Sequence, residues 1–231
     1  MRKLINLEIK KYKLFSYLKG VAIANIAIMG MLVLVYFGEK SEGIVAYENY
    51  EMAFSVIGSI TRPVFLIFAA ALISKIIIDE YKSNSISLMF TYPISRKKIM
   101  IAKLAIIASF TFLTIIISNL LIGSVFYLVD SYLHFVPAPL SAKILTDGLI
   151  TLVLEAVAAA GMSLIPLYFG MRKKSTVAPI VSAIVMVSLI NSTVNGGASL
   201  VSFIAIPIGL AIIGCGIAYF SFRNIEKVDV N

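Results

Sequence analysis

Six apolar runs dominate the sequence and decide which solvent the chain can fold in. They cover residues 14–37, 54–78, 104–129, 146–169, 177–192 and 199–222. A bilayer core about 30 Å thick is crossed by roughly 20 apolar residues in helical form. Each run is therefore read as a transmembrane helix, the short fifth one borrowing from its flanks. Hydrocarbon offers backbone amides and carbonyls no water, and a helix satisfies them internally. Composition agrees: 60% of the 231 residues are hydrophobic and 14% are charged, against about 25% charged in a soluble domain. Too few polar side chains remain to coat a water-facing surface. The expected fold class is all-α, an integral membrane protein with six transmembrane helices, in one transmembrane domain over 1–231.

Orientation follows from the basic residues, which concentrate in cytoplasmic loops. Arg2, Lys3, Lys10, Lys11, Lys13 and Lys19 precede or open the first run, and Lys75 ends the second. Lys82, Arg96, Lys97, Lys98 and Lys103 follow it. Arg172, Lys173 and Lys174 join the fourth run to the fifth, and Arg223 and Lys227 close the chain. Of 20 basic residues only Lys40, Arg62 and Lys143 fall on the other side, among six acids from Glu39 to Asp147. Both termini are expected in the cytoplasm. This bias accounts for the net charge of +8 without a nucleic-acid partner. The N-terminal apolar run is longer than a signal-peptide core and lacks a small-residue cleavage site, so it is read as retained.

Several function classes are poorly served. His134 is the only histidine, which disfavours a histidine-based zinc site or triad. Cys215 is the only cysteine, so no internal disulfide forms. No G-x-x-x-x-G-K-[ST] loop is present to cradle ATP phosphates. Upstream of the first run, Leu4, Ile5, Ile9, Tyr12 and Leu14 share one helical face, with Lys3, Lys10, Lys11 and Lys13 around the rest. The pattern predicts a basic amphipathic helix on the inner leaflet.

Within the spans, Glu155 lies near the middle of the fourth run. An ionisable group there costs at least about 2.5 kcal/mol and turns to the bundle interior or to water. It is a candidate translocation-path carboxylate or a hydrogen-bonded structural one. Arg62-Pro63 suggests a kink or a short outer segment, and Lys75 a side chain snorkelling to the headgroups. Gly20 with Ala24, the run 158–161, and Ala205 with Gly209 have the four-residue spacing of close helix contacts. Pro166, Pro179 and Pro207 offer bends, Tyr47, Tyr50, Tyr127 and Tyr132 an outer aromatic belt, and residues 191–197 a tight outer turn.

The polar insert 79–103 between the second and third runs is the least expected feature. Ile86, Met89 and Phe90 stand at i, i+3, i+4, so a short helix from about Ser83 gathers them onto one face. Asp79 and Glu80 would sit just before its start, where the helix dipole favours negative charge. Pro93 lacks a donor and holds Tyr92 extended, which stops that helix. Ser95 can cap the next one, whose first turn carries Arg96, Lys97 and Lys98. The apolar face of the short helix has no cover within its own segment, and lipid or a partner must supply one.

These residues resemble the cytoplasmic loop of type-2 ABC exporter permeases. The likeness rests on Glu80-Tyr81-Lys82, on Ser87-Leu88-Met89, and on Tyr92-Pro93-Ile94-Ser95-Arg96-Lys97-Lys98 with Lys103 beyond. It covers about 25 residues, and the span count and chain length suit it. By this resemblance the loop holds a coupling helix that docks on a separate ATPase. Glu80 matches the acidic position inside the second span, and Pro93 and Arg96 match a P-x-S-R turn. Ile86, Met89 and Phe90 would form the docking face.

The resemblance further implies two ATPase copies that use ATP and magnesium, a second permease subunit of the same or a sibling kind, and a bacterial-type plasma membrane. This chain would bind no cofactor directly and catalyse nothing itself. The substrate would be amphipathic or hydrophobic, with antimicrobial peptides, lipids and small hydrophobic compounds all open. The alternative is a non-transporting membrane immunity or sensor protein that binds a peptide or partner in the bilayer. A membrane protease lacks its residues here, and a proton-coupled carrier leaves the insert unexplained.

Overall fold

The computed structural model describes residues 2–42, 47–82, 96–133, 136–194, 198–199 and 205–223. Among them the regular structure is helical apart from a pair of two-residue strands. The helices are α1 (Arg2–Lys11), α2 (Tyr17–Ser41), α3 (Tyr50–Ile73), α4 (Asp79–Lys82) and α5 (Arg96–Leu133). They continue with α6 (Ala142–Met162), α7 (Pro166–Lys173), α8 (Ala178–Ile190) and α9 (Ala205–Arg223). A π-helical turn, Ser74–Ile78, joins α3 to α4 without a break. Strands β1 (Thr193–Val194) and β2 (Ala198–Ser199) pair antiparallel across the expected turn.

Four stretches are long and apolar enough to cross a membrane: Leu14–Ser41, Tyr50–Lys82, Lys97–Leu133 and Ala142–Lys173. They cover the first four expected spans. Helices α8 and α9 occupy the fifth and sixth runs but are shorter, at 13 and 19 residues. At 1.5 Å per residue, α8 alone reaches only about 20 Å.

The chain packs as two compact units. The first comprises Met1–Leu14, Phe65–Phe112 and Val157–Asn231. Here α1 is the helix expected at the N-terminus. Lys13 takes a left-handed backbone (φ 46°) that ends it and redirects the chain. Helix α7 packs on α8, on α9 and on the π turn, and Ser74 Oγ donates to the Thr176 carbonyl at 2.6 Å. Helices α6 and α9 approach closely at Gly161, where an added Cβ would lie 2.7 Å from the Ala211 Cβ. Gly214 faces Gly161 across the same contact. Of the spacing motifs in the sequence, the 158–161 run is thus used for close packing. Gly209 has nothing within 4 Å.

The second unit comprises Phe15–Val64 and Leu113–Ala156. Its α2 is apolar all round, so hydropathy alone cannot say which face turns inward. The buried stripe is Val21, Asn25, Ile28, Leu32 and Tyr36, spaced four, three, four and four. Ile28, Leu32 and Tyr36 join a core with Ile57, Ile122 and Phe126. Tyr47 and Tyr50, expected in the aromatic belt, lie in this core instead because each hydroxyl finds a buried acceptor. Tyr47 donates to the Leu32 carbonyl at 3.0 Å and meets the Phe126 ring edge-on at 5.2 Å. Tyr50 donates to Asp130, whose other oxygen accepts the Val136 amide at 2.8 Å. Tyr127 and Tyr132 are exposed, as a belt requires.

Three local expectations change. Arg62-Pro63 neither breaks α3 nor starts a separate outer segment, since the helix runs through both. The fourth run is interrupted after Met162, because Pro166 has no amide to give the carbonyl four residues back. Residues 164–168 tighten to i→i+3 bonds there, and Pro166 opens α7. Pro179 and Pro207 likewise stand in the first turns of α8 and α9, where a missing amide is harmless. Finally, Asp79 and Glu80, expected in the polar insert, continue the helix of the second span, and the segment in which a short helix was expected lies outside the described residues.

Candidate functional site

Two sets of charged side chains stand apart from the apolar packing, one in each unit. The first is centred on Glu80, buried at the end of the second span. Lys11 of α1 reaches Glu80 Oε1 at 2.5 Å, and the Tyr12 hydroxyl donates to the same oxygen. Lys103 of α5 bonds Glu80 Oε2 and donates to the Ile76 carbonyl at 2.8 Å. A π turn displaces the usual i→i+4 bonding, and the Ile76 carbonyl within it takes a side-chain ammonium as donor. Glu8 of α1 completes the set, with Oε2 3.8 Å from Lys103 Nζ.

Glu8 and Lys103 are 3% and 2% exposed, which decides their character. These are charges withdrawn from solvent and held by one another. Burial pushes the Glu8 carboxyl above its ordinary range, against the lowering pull of Lys103. Burial also raises the Tyr12 phenol, and its bond to Glu80 adds to the shift. Tyr12 is therefore a neutral donor at physiological pH. The cluster ties three sequence-distant segments together: the N-terminal helix, the end of the second span and the start of the third.

In the second unit, Arg62 of α3 meets Glu155 of α6 at 2.5 Å. Arg62 is the buried partner, while the Glu155 side chain is 33% exposed. Gly58 makes room for the pair, since a Cβ there would lie 3.4 Å from Glu155 Oε2. Gly148 of α6 faces Phe54 of α3 in the same way, 3.5 Å from its ring. Contacts thus advance from 54 with 148 to 58 and 62 with 155, so α3 and α6 run parallel in this unit. Glu155 also lines a cavity of about 940 Å³ bounded by Glu51, Phe54, Asn119, Tyr127 and Asp147 among others.

Of the residues singled out in the sequence, Glu80 enters the first cluster and Glu155 the second pair. Arg96 opens α5, where the proline stop and serine cap place a helix start. Ile86, Met89, Phe90 and Pro93 lie outside the described residues. Lys75, expected to snorkel, is exposed and pairs with Asp79 at 3.1 Å. Glu8, Lys103 and Arg62 were not foreseen in these roles. Glu8 sits in the middle of the apolar face made by Leu4, Ile5, Ile9 and Tyr12, an odd place for an unpaired acid. Lys103 stands three or four residues from the buried Ile99, Met100, Ile106 and Ile107, so its direction was written in the helical spacing.

Residues 4–191 match the family model described as ABC-2 family transporter protein. The chain is 43% identical over 226 residues to a Bacillus subtilis (strain 168) protein titled "Uncharacterized protein YcbO", covering 98% of this chain and 99% of the relative. No solved structure matches. With that match over most of its length, and four helices able to cross a bilayer, the chain belongs to the ABC-2 transporter family, as a membrane-embedded permease component of the kind that works with an ABC ATPase.

Proposed function

We propose that this chain is the transmembrane subunit of an ATP-driven exporter. It moves an amphipathic or hydrophobic substrate outward by alternating access, and a separate ATPase supplies the energy. The chain forms one six-span permease domain with both termini in the cytoplasm, where α8 and α9 complete the fifth and sixth crossings with help from their flanks. The parallel run of α3 and α6 supports this topology, since the second and fourth spans then start on the same side. The permease pairs with a second one, its own copy or a sibling, and with two ATPase copies that bind ATP and magnesium.

One observation carries the coupling role: the segment between α4 and α5 is clamped at both ends. Glu80 before it and Lys103 after it bond each other, and Lys11 and Tyr12 hold Glu80 from α1. A lever needs a rigid mount, and a buried cluster in which both Glu80 oxygens accept from donors provides one. Ile86, Met89 and Phe90 would then dock on the ATPase while Pro93 and Arg96 shape the return into the membrane. Burying such side chains stabilises a contact by about 1.5–3 kcal/mol each. Glu155 would serve the translocation path, which its position on a cavity wall supports.

The test is Phe90→Asp. A charge where burial is required weakens docking by several kcal/mol, so the purified permease should lose its ATPase or keep it without transport. Cysteines at 86 and 89, in a background without Cys215, should be shielded from a water-soluble thiol reagent by the ATPase. Equal labelling with and without that subunit would mean that lipid covers the segment, and the coupling reading would fail.

A further inference from the structure

We infer that the cavity of the second unit is a binding site for a cationic amphiphile, with the positive charge of the ligand placed at Glu155. The proposal deepens the exporter reading by naming a substrate class, and rests on it only for the direction of transport. Three carboxylates line the cavity, Glu51, Asp147 and Glu155, against one ammonium, Lys143. Arg62 adds a second positive charge through its pair with Glu155, leaving an excess of one negative charge. That excess is unusual in a chain of net charge +8.

The remaining wall is largely apolar, with Phe54, Ile57, Leu120, Ile144 and Leu152, beside the neutral Ser55, Asn119, Ser124 and Thr151. Its volume of about 940 Å³ is at the upper end of the roughly 300–1,000 Å³ typical of small-molecule sites. An apolar body with a single positive charge complements both features. An anion meets a site with an excess of negative charge, and a neutral apolar molecule leaves that excess unbalanced.

Depth strengthens the case. Glu155 is the fourteenth residue of α6, roughly 20 Å along that helix, where the bilayer supplies no ions. Arg62 is buried and approaches Oε2, and among the described residues no other partner is recorded for Glu155. The carboxylate is therefore held from one side and accessible from the other. A ligand cation approaching there gains from a charge that the protein has already fixed and partly desolvated. Gly58 keeps the pair from being crowded, since nothing but Glu155 and Arg62 lies within 4 Å of where its Cβ would be.

The experiment uses two ions of the same shape and opposite charge, tetraphenylphosphonium and tetraphenylborate. Their equilibrium binding to the whole chain is measured in phosphatidylcholine vesicles and corrected by protein-free vesicles, because the interfacial dipole potential of the bilayer itself favours the anion. Saturable binding of the cation and none of the anion is expected. Glu155→Gln, which keeps an acceptor for Arg62, should weaken the cation by at least about tenfold, given a lost charge at contact distance in a poorly screened site. If that variant does not fold, Glu51→Gln with Asp147→Asn, both at exposed positions, should weaken it about threefold.

Equal binding of the two ions, or unchanged affinity in the variants that fold, overturns the proposal. So does a disulfide between Thr151→Cys copies, in a Cys215→Ala background, that removes all cation binding, because a second copy would then cover the cavity. Binding is read without an ATPase. Its failure leaves the exporter reading intact, and a missing ATPase leaves the binding result intact.

Discussion

Glu80 and Glu155 are both carboxylates in an apolar chain, and they are held in opposite ways. Glu80 is enclosed by donors on both oxygens: Lys11 and Tyr12 on one, Lys103 on the other. Among the described residues Glu155 has one partner, Arg62, and it also lines a cavity. Buried polar groups are expensive unless satisfied, so an enclosed carboxylate reads as architecture and an open one as a place for something else to bind. The partners differ too. Lys103 is a compact ammonium that also donates to the Ile76 carbonyl, whereas Arg62 meets Glu155 with a planar guanidinium. The first unit therefore contains a clamp, and the second a charge pair with a cavity beside it.

The largest expected effect is on the clamp. Glu80→Leu leaves Lys103 and Glu8 buried without the carboxylate that joins them, and breaking a buried pair costs about 3–5 kcal/mol. The yield of folded protein should fall sharply, and thermal unfolding in detergent should move well down. Adding Lys103→Met should recover much of the loss, because apolar replacement of both partners is often neutral. A single variant as stable as the parent would show that the cluster supports nothing.

A smaller effect separates the members of the open pair. Glu155→Leu leaves Arg62 charged inside the helices, at about 2–3 kcal/mol on insertion scales. Arg62→Leu should cost less, because a glutamate on a cavity wall can meet water. The same unfolding measurement ranks the two. The reverse order would make Glu155 the enclosed partner and remove the basis for ligand access.

How far the sequence foresaw this contrast depended on the kind of signal. The four long apolar helices, the amphipathic α1 and the helix start at Arg96 follow from hydropathy, spacing and the proline stop, all local in sequence. Partner choice is not local. Glu80 and Lys103 are 23 residues apart, and Lys11 lies 69 residues from Glu80. A lysine beside the headgroups reads as a solvated flank until packing shows it buried. Arg62-Pro63 suggests a kink or a short outer segment, yet the helix runs through Pro63 and carries Arg62 against Glu155. Apolar faces were equally hard to assign, since α2 is hydrophobic on every side. Tyr50 and Tyr47 needed their acceptors, Asp130 and the Leu32 carbonyl, before their burial made sense.

Glycines extend the comparison between the units at lower cost. Gly161→Ala in the first unit drives a methyl to 2.7 Å from Ala211 Cβ and 2.9 Å from its Cα. Two helices must separate, and overpacking of this kind costs about 1–3 kcal/mol. Gly58→Ala in the second unit meets only the ends of Glu155 and Arg62, at 3.4 and 3.9 Å. Those side chains can shift, so its stability should stay within about 0.5 kcal/mol of the parent. Gly209→Ala, with open space around it, serves as a control for helix propensity. Equal losses at 161 and 58 would mean that the pair in the second unit is as tightly enclosed as the helix contact in the first.

The smallest effect tests whether Glu8 belongs to the clamp as an ion or as a neutral acid. Burial raises its carboxyl while Lys103 opposes the shift, and burial is the larger influence. The folded chain then binds a proton at Glu8 more readily than the unfolded chain does. The difference opens near the ordinary glutamate value of about 4.3 and closes above the raised one. Across that window the folded state holds more protons, so the contribution of Glu8 to stability falls as pH rises. Glu8→Gln removes the titration and keeps the shape. Subtracting its unfolding temperature from that of the parent, pH by pH, isolates Glu8 from the other carboxylates. The parent should lose ground to the variant on going from acid to neutral pH, by less than about 4 °C at this chain length. A difference that grows in the parent's favour would mean that Lys103 keeps Glu8 ionised. Glu8 would then share the ammonium with Glu80, and the clamp would hold two carboxylates on one lysine.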